Sequence, residues 1–181
     1  MQDIRTKLRA ATADEHRRTE SSFAAILAAL SDAQSYGAFL RAHARAFPAV
    51  GRALSAGLDW PAWRARWHAL ESDLAALDLD PPPALSIAPV ASRAEALGMA
   101  YVLEGSRLGS TLLLTRVPAG LPSAYLAGGH DRAPWRLLVG LLETIDPIDE
   151  TAAIAGANTA FRAFREAAAL QPLPRVLESV A

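Results

Sequence analysis

GMAYVLEGSRLGSTLLL, residues Gly98 to Leu114, has the apolar spacing of a buried helix but carries residues that weaken one. Tyr101, Val102, Leu103, Leu108, Leu112 and Leu113 return at roughly helical intervals. Gly98, Gly105 and Gly109 interrupt that run, and each glycine costs a helix interior about 1 kcal/mol relative to alanine. At about 100° per residue the three glycines fall within about 40° of one another, so they strip the side chains from one face. A bare face serves two ends. One is close helix–helix packing, for which Gly105 and Gly109 have the small-xxx-small spacing. The other is close approach of a flat ligand to the backbone of a bent helix. Spacing alone leaves both open.

The flanking sequence is helical as well. The chain has 181 residues and is 51% apolar, and much of that is alanine and leucine, both strong helix formers. One helix is expected from about Asp3 into the low twenties, and a short one from Phe23 to Leu30. Ser31 and Gln34 form a capping-box pattern that opens a longer helix, bent at Pro48 and closed by Gly57. Asp59 and Pro61 start another helix, which carries Trp63, Trp67, Leu70, Leu74 and Leu77. The segment DLDPPPALSIAPV, Asp78 to Val90, is too rich in proline for helix. Ser92 and Glu95 then cap the glycine-bearing helix, a loop runs from Pro118 to Gly129, and two more helices cover about Pro134–Ile145 and Asp149–Ala169. No strand pair is evident. The expectation is all-α: a single-domain helical bundle of about seven helices over 1–181, ending in a short tail, 171–181.

Several classes of function drop out. The net charge of −1 offers no field for nucleic acid or an anionic membrane surface. The chain has no cysteine, which removes disulfides, thiolate metal sites and thiol nucleophiles, and no flavin or iron–sulfur motif is present. No apolar run reaches the roughly 18 residues of a membrane span, and the N-terminus is charged where a signal peptide would be apolar. A cytoplasmic protein is expected.

Four histidines are candidates for chemistry: His16, His43, His68 and His130. His68 with Glu71 makes one H-x-x-E spacing, and the second such motif that a two-metal bundle site requires is missing. His130 lies in a loop beside Asp131, and His43 among alanines and arginines. His16 has the better setting. Glu20 lies one turn on, where a carboxylate can orient the ring, and Arg9 lies two turns back on the same face. A histidine, its carboxylate and a distant cation suit a flat, dianionic, iron-bearing ligand. An ordinary salt-bridged surface helix has the same spacing.

Two stretches together resemble the heme oxygenases, especially the small bacterial enzymes. LRAATADEHRRTE (Leu8–Glu20) is similar to the family's proximal-helix pattern, and YVLEGSRLGS (Tyr101–Ser110) to its distal-helix pattern. Their order and their separation of about 90 residues also fit. The resemblance implies a heme sandwiched between the first, proximal helix and a kinked, glycine-rich distal helix. His16 would be the iron ligand, Glu20 its neighbour, and Arg9 the partner of a heme propionate. Tyr101 and Arg136 would also bind the cofactor, Arg136 as a second propionate partner, with Phe161 and Phe164 in the pocket wall. Gly105 and Gly109 would lay bare backbone over the porphyrin, pressing bound oxygen toward one meso carbon, while Ser106 and Ser110 hold ordered water. Ser110 stands where the family has a second glycine, so it would either crowd the heme or add a hydroxyl to the water chain.

The implied activity is oxidative cleavage of heme b, cofactor and substrate at once, to biliverdin, carbon monoxide and ferrous iron. It would use O2 and electrons from a separate reductase or ferredoxin. The product would go to iron salvage or to an acceptor such as a bacteriophytochrome. Two other readings are a heme-binding or heme-sensing protein on the same fold that leaves the pigment intact, and a cofactor-free helical interaction module.

Overall fold

The computed structural model of the protein describes residues 3–28, 30 and 32–171. Seven α-helices follow one another: α1 (Ile4–Ala28), α2 (Ala33–Leu54), α3 (Ala62–Ala75), α4 (Arg93–Leu114), α5 (Ala124–Ala127), α6 (Ala133–Leu142) and α7 (Glu150–Ala169). Single 3-10 turns precede α6 (Gly128–His130) and α7 (Pro147–Asp149). There is no strand among the described residues.

Local chemistry explains several helix ends. Asp32 caps α2, accepting the Ser35 N–H at 2.8 Å. Ser31, half of the expected capping box, lies outside the described residues. Ser92 caps α4, its hydroxyl accepting the Glu95 N–H at 3.2 Å, while the Glu95 carboxylate reaches back to the Ala91 N–H at 2.8 Å. After α3 the chain turns at Asp78, whose φ of 54° is left-handed, and the Leu79 N–H returns to the Leu74 carbonyl at 3.0 Å. Pro61, rather than Asp59, occupies the position before α3. The proline-rich connector then runs without helix along α2, tied to it by Leu85 N–H to Arg45 O (2.9 Å) and Val90 N–H to Ala53 O (3.2 Å).

Two expectations fail: the loop expected from Pro118 to Gly129 contains the short helix α5, and α1 is a single helix of 25 residues, with no break before Phe23. Thr19 and Ser22 each turn their hydroxyl onto the carbonyl four residues back, at 2.8 and 2.9 Å. Bonded in that way, these residues cap nothing and the helix continues. Phe23 and Ile26, expected in a second helix, are buried on the core side of this one.

The hub of the bundle is α7, rich in alanine, against which α1, α2 and α4 all pack. The tightest contact is between α7 and α4. A Cβ on Gly98 would lie 1.8 Å from the Ala153 carbonyl oxygen, and one on Gly156 would lie 2.0 Å from that of Glu95. The two glycines let the helices touch backbone to backbone. On the other side, Lys7 pairs with Glu150 at 2.6 Å, and Glu15 with Arg165 at 2.8 Å, fixing α1 to α7. Both helices lean on α7 yet scarcely touch each other, and a cleft opens between them.

Candidate active site

The cleft between α1 and α4 measures about 860 Å³, within the range of small-molecule and cofactor sites. Each wall comes from a different piece of chemistry. On α1, His16 projects into it with just over half of its side chain exposed. The ring is held from two sides. Its Nδ1 lies 3.5 Å from a Glu20 carboxylate oxygen, and Phe161 of α7 meets it edge to face at 5.5 Å. With Nδ1 turned to the carboxylate, Nε2 is left as the ligating nitrogen.

The opposite wall is α4. A Cβ added at Gly109 would meet nothing within 4 Å, and one at Gly105 only the Trp135 ring at 4.0 Å. These two glycines are therefore not packing glycines. They leave helix backbone bare toward the cleft, flanked by Tyr101 and Ser106. Phe161 and Phe164 of α7 line one end, and Arg9 stands at the rim. Burial raises the pKa of the Tyr101 phenol, and the charge of Arg9 pulls it back down.

Among the other lining residues, Trp135 was given no site role by the sequence, and His43 was one of four histidine candidates that spacing did not favour. Trp135 of α6 tilts against Tyr101 at 5.9 Å. His43 of α2 sits at the deep end, packed around by Phe23, Phe39, Tyr125 and Phe164 with ring centroids 4.1–5.6 Å away. Its Nδ1 donates to the Phe39 carbonyl at 3.0 Å, which leaves Nε2 an acceptor. Burial lowers its pKa to about 4, aided by the nearby Arg66 charge and opposed by the Phe39 hydrogen bond, so the ring is neutral at pH 7. The one local signal was the stripe Phe39–His43–Phe47, which reads equally well as ordinary core.

Among the described residues no cluster of three histidine, aspartate or glutamate side chains could hold a metal ion. A metal at His16 must bring its other ligands with it. A single oriented imidazole, aromatic side chains, a bare backbone opposite and a cation at the rim suit a flat iron-bearing macrocycle with an anionic edge.

The chain is 32% identical over 157 residues to a heme oxygenase of Xanthomonas campestris pv. campestris (strain 8004), covering 79% of this chain and 94% of that one. It belongs to the heme oxygenase family. No family model matches. The fold is similar to that of the Neisseria meningitidis heme oxygenase solved with NO and CO bound, with a TM-score of 0.71 at 23% identity over 98% of this chain and 99% of that one.

Against the heme oxygenase pattern, two expected site residues lie elsewhere. Ser110 is buried behind the wall, and its hydroxyl donates to the Ser106 carbonyl at 3.1 Å. Its Cβ is packed where a Cβ on Gly129 would come within 2.9 Å. It follows Gly109 by one residue, about 100° around the helix, so it neither crowds the cleft nor reaches water in it. Arg136 is exposed on α6 and does not line the cleft, because its neighbour Trp135 takes the inward position. Gly98, expected on the same bare face as Gly105 and Gly109, is covered by α7. His68, 3.2 Å from Glu71, and His130 are both exposed and away from the cleft. No described helix is long and apolar enough to cross a membrane.

Proposed function

We propose that this chain is a heme oxygenase that opens heme b to biliverdin, carbon monoxide and ferrous iron, taking O2 and electrons from a separate reductase or ferredoxin. The observation that carries the reading is the opposition of His16, on one side of the cleft, to the bare Gly105 and Gly109 backbone on the other. Heme, when bound, supplies both the carbon skeleton that is cut and the iron at which oxygen is activated.

The residues would divide the remaining work. His16 would hold the iron through Nε2, with the Glu20 carboxylate beside Nδ1 keeping the ring in one orientation. Gly105 and Gly109 would form a close, inert wall that leaves room for a flat ligand and adds no side-chain acid. The neutral His43 Nε2 is a polar group able to hold water there and accept a proton, while the Ser106 hydroxyl, its hydrogen given to the Leu103 carbonyl, can accept a hydrogen bond from such water. Arg9 would meet a propionate, on the same cleft as Tyr101, and Phe161 and Phe164 would give the ligand an apolar wall. A bile-pigment acceptor such as a bacteriophytochrome and a cytoplasmic location complete the proposal. A non-degrading heme binder had one sequence feature in its favour, Ser110 at the wall, and Ser110 lies behind it.

The test is to add hemin and then a reductant in air while following the Soret band. Its loss, with growth of bile-pigment absorbance, is the expected outcome. A band that persists, with no pigment formed, refutes the enzyme.

A further inference from the structure

Behind the wall opposite His16 lies a cluster of charges that the reading above does not use. Arg66 of α3 is only 3% exposed, sandwiched between the rings of Phe47 and Tyr125, each 4.9 Å away. One of its nitrogens, Nη1, donates both to the Leu103 carbonyl at 2.7 Å and to the Ser106 hydroxyl at 3.0 Å. Its Nε and Nη2 are buried and have no hydrogen-bond partner among the described residues. The neighbouring charges are already committed. Glu104 takes the Arg107 guanidinium and the Trp60 indole N–H at 3.0 Å, and Arg107 also donates to the Gly128 and Ala62 carbonyls. Asp73, two turns farther along α3, spends its carboxylate on the Ala124 and Tyr125 N–H groups, both at 2.9 Å. Arg66 is therefore a buried cation with no anion in contact among the described residues, one hydrogen bond behind a residue that lines the cleft.

We propose that Arg66 is a positioning residue for the cleft, holding the Ser106 hydroxyl and lending the glycine wall a fixed positive potential toward the ligand opposite His16. The role rests on the heme reading. A buried charge is screened far less than a surface one. A ligand that gathers negative charge on that side, as reduced dioxygen does, is favoured by such a potential without any acid in the cleft. Ser106 transmits the geometry: its hydroxyl accepts from Arg66 and donates to the Leu103 carbonyl at 2.7 Å, so it is fixed in direction.

The test uses the hemin-loaded, reduced full-length protein under carbon monoxide and reads the C–O stretching frequency by infrared spectroscopy. A positive potential at the ligand increases back-donation from iron and lowers that frequency. Arg66→Met is expected to raise it, and Arg66→Lys to return it toward the wild-type position. Ser106→Ala, at the cleft surface, is expected to move it the same way by less, and serves alone should Arg66→Met fail to fold. A role in packing alone would lower the melting temperature and leave the stretch in place. An unchanged stretch in the folded variants overturns the proposal while leaving the enzyme reading intact. A wild-type protein that takes up no hemin overturns both.

Discussion

The two ends of α4 use the same residue for opposite purposes. At Gly98 the missing side chain is filled by α7, and backbone meets backbone. At Gly105 and Gly109, two and three turns on, the missing side chain is filled by no protein atom closer than 4.0 Å. One glycine shortens a helix contact, and the others keep a wall clear. A glycine in a helix thus reports that something comes close, and only the neighbouring elements reveal whether that is another helix or a ligand.

The strongest way to break the comparison is at the packed end. Gly98→Leu, or even Gly98→Ala, drives a Cβ into the Ala153 carbonyl, and overpacking of that kind costs about 1–3 kcal/mol or more. A large fall in melting temperature is expected, and a variant as stable as the parent would mean that α4 and α7 do not meet as described. At the open end, Gly109→Leu should leave the melting temperature unchanged or slightly higher, since leucine improves on glycine in a helix by up to about 1 kcal/mol. Biliverdin formation from added hemin should be abolished or diverted to peroxidase-like chemistry. A normal yield would show that the wall does not shape the reaction.

His43 sharpens the contrast between a packed site and a wet one. Its folded pKa of about 4 lies below the ordinary histidine value of about 6.5. Between those two values the unfolded chain binds the proton that the folded one refuses, so stability falls as pH drops through that window. The heme-free protein should lose on the order of 1–3 kcal/mol there by chemical denaturation. His43→Phe should flatten that part of the profile, and an unaltered slope would place the ring in water. The smallest effect belongs to the rim: Arg9→Ala should weaken hemin binding by about 1 kcal/mol or less, roughly five-fold in Kd, because an exposed ion pair contributes little. It should also alter the biliverdin isomer. Unchanged affinity together with an unchanged isomer would remove Arg9 from the site.

Much of this was legible along the chain because it depends on near neighbours. Helix placement follows from apolar period and capping residues, as at Ser92 and Glu95. His16 and Glu20 share a face because four residues make about one turn. The short-range reading failed where a hydroxyl had two options, at Ser22, and where adjacent residues competed for one direction, at Trp135 and Arg136 and at Gly109 and Ser110. It listed His43 as a candidate but could not place it in the cleft, because its packing partners come from α1, α2, α5 and α7.

The sequence by itself determined a helical protein with an imidazole and a carboxylate one turn apart, and a helix weakened by glycine, since these rest on intervals of a few residues. Tertiary structure alone decided which glycine is covered, which serine lies behind the wall and that Arg66 is buried with no anion against it among the described residues. Each of those outcomes is a distance between atoms far apart in the chain, and helical periodicity carries no information about it.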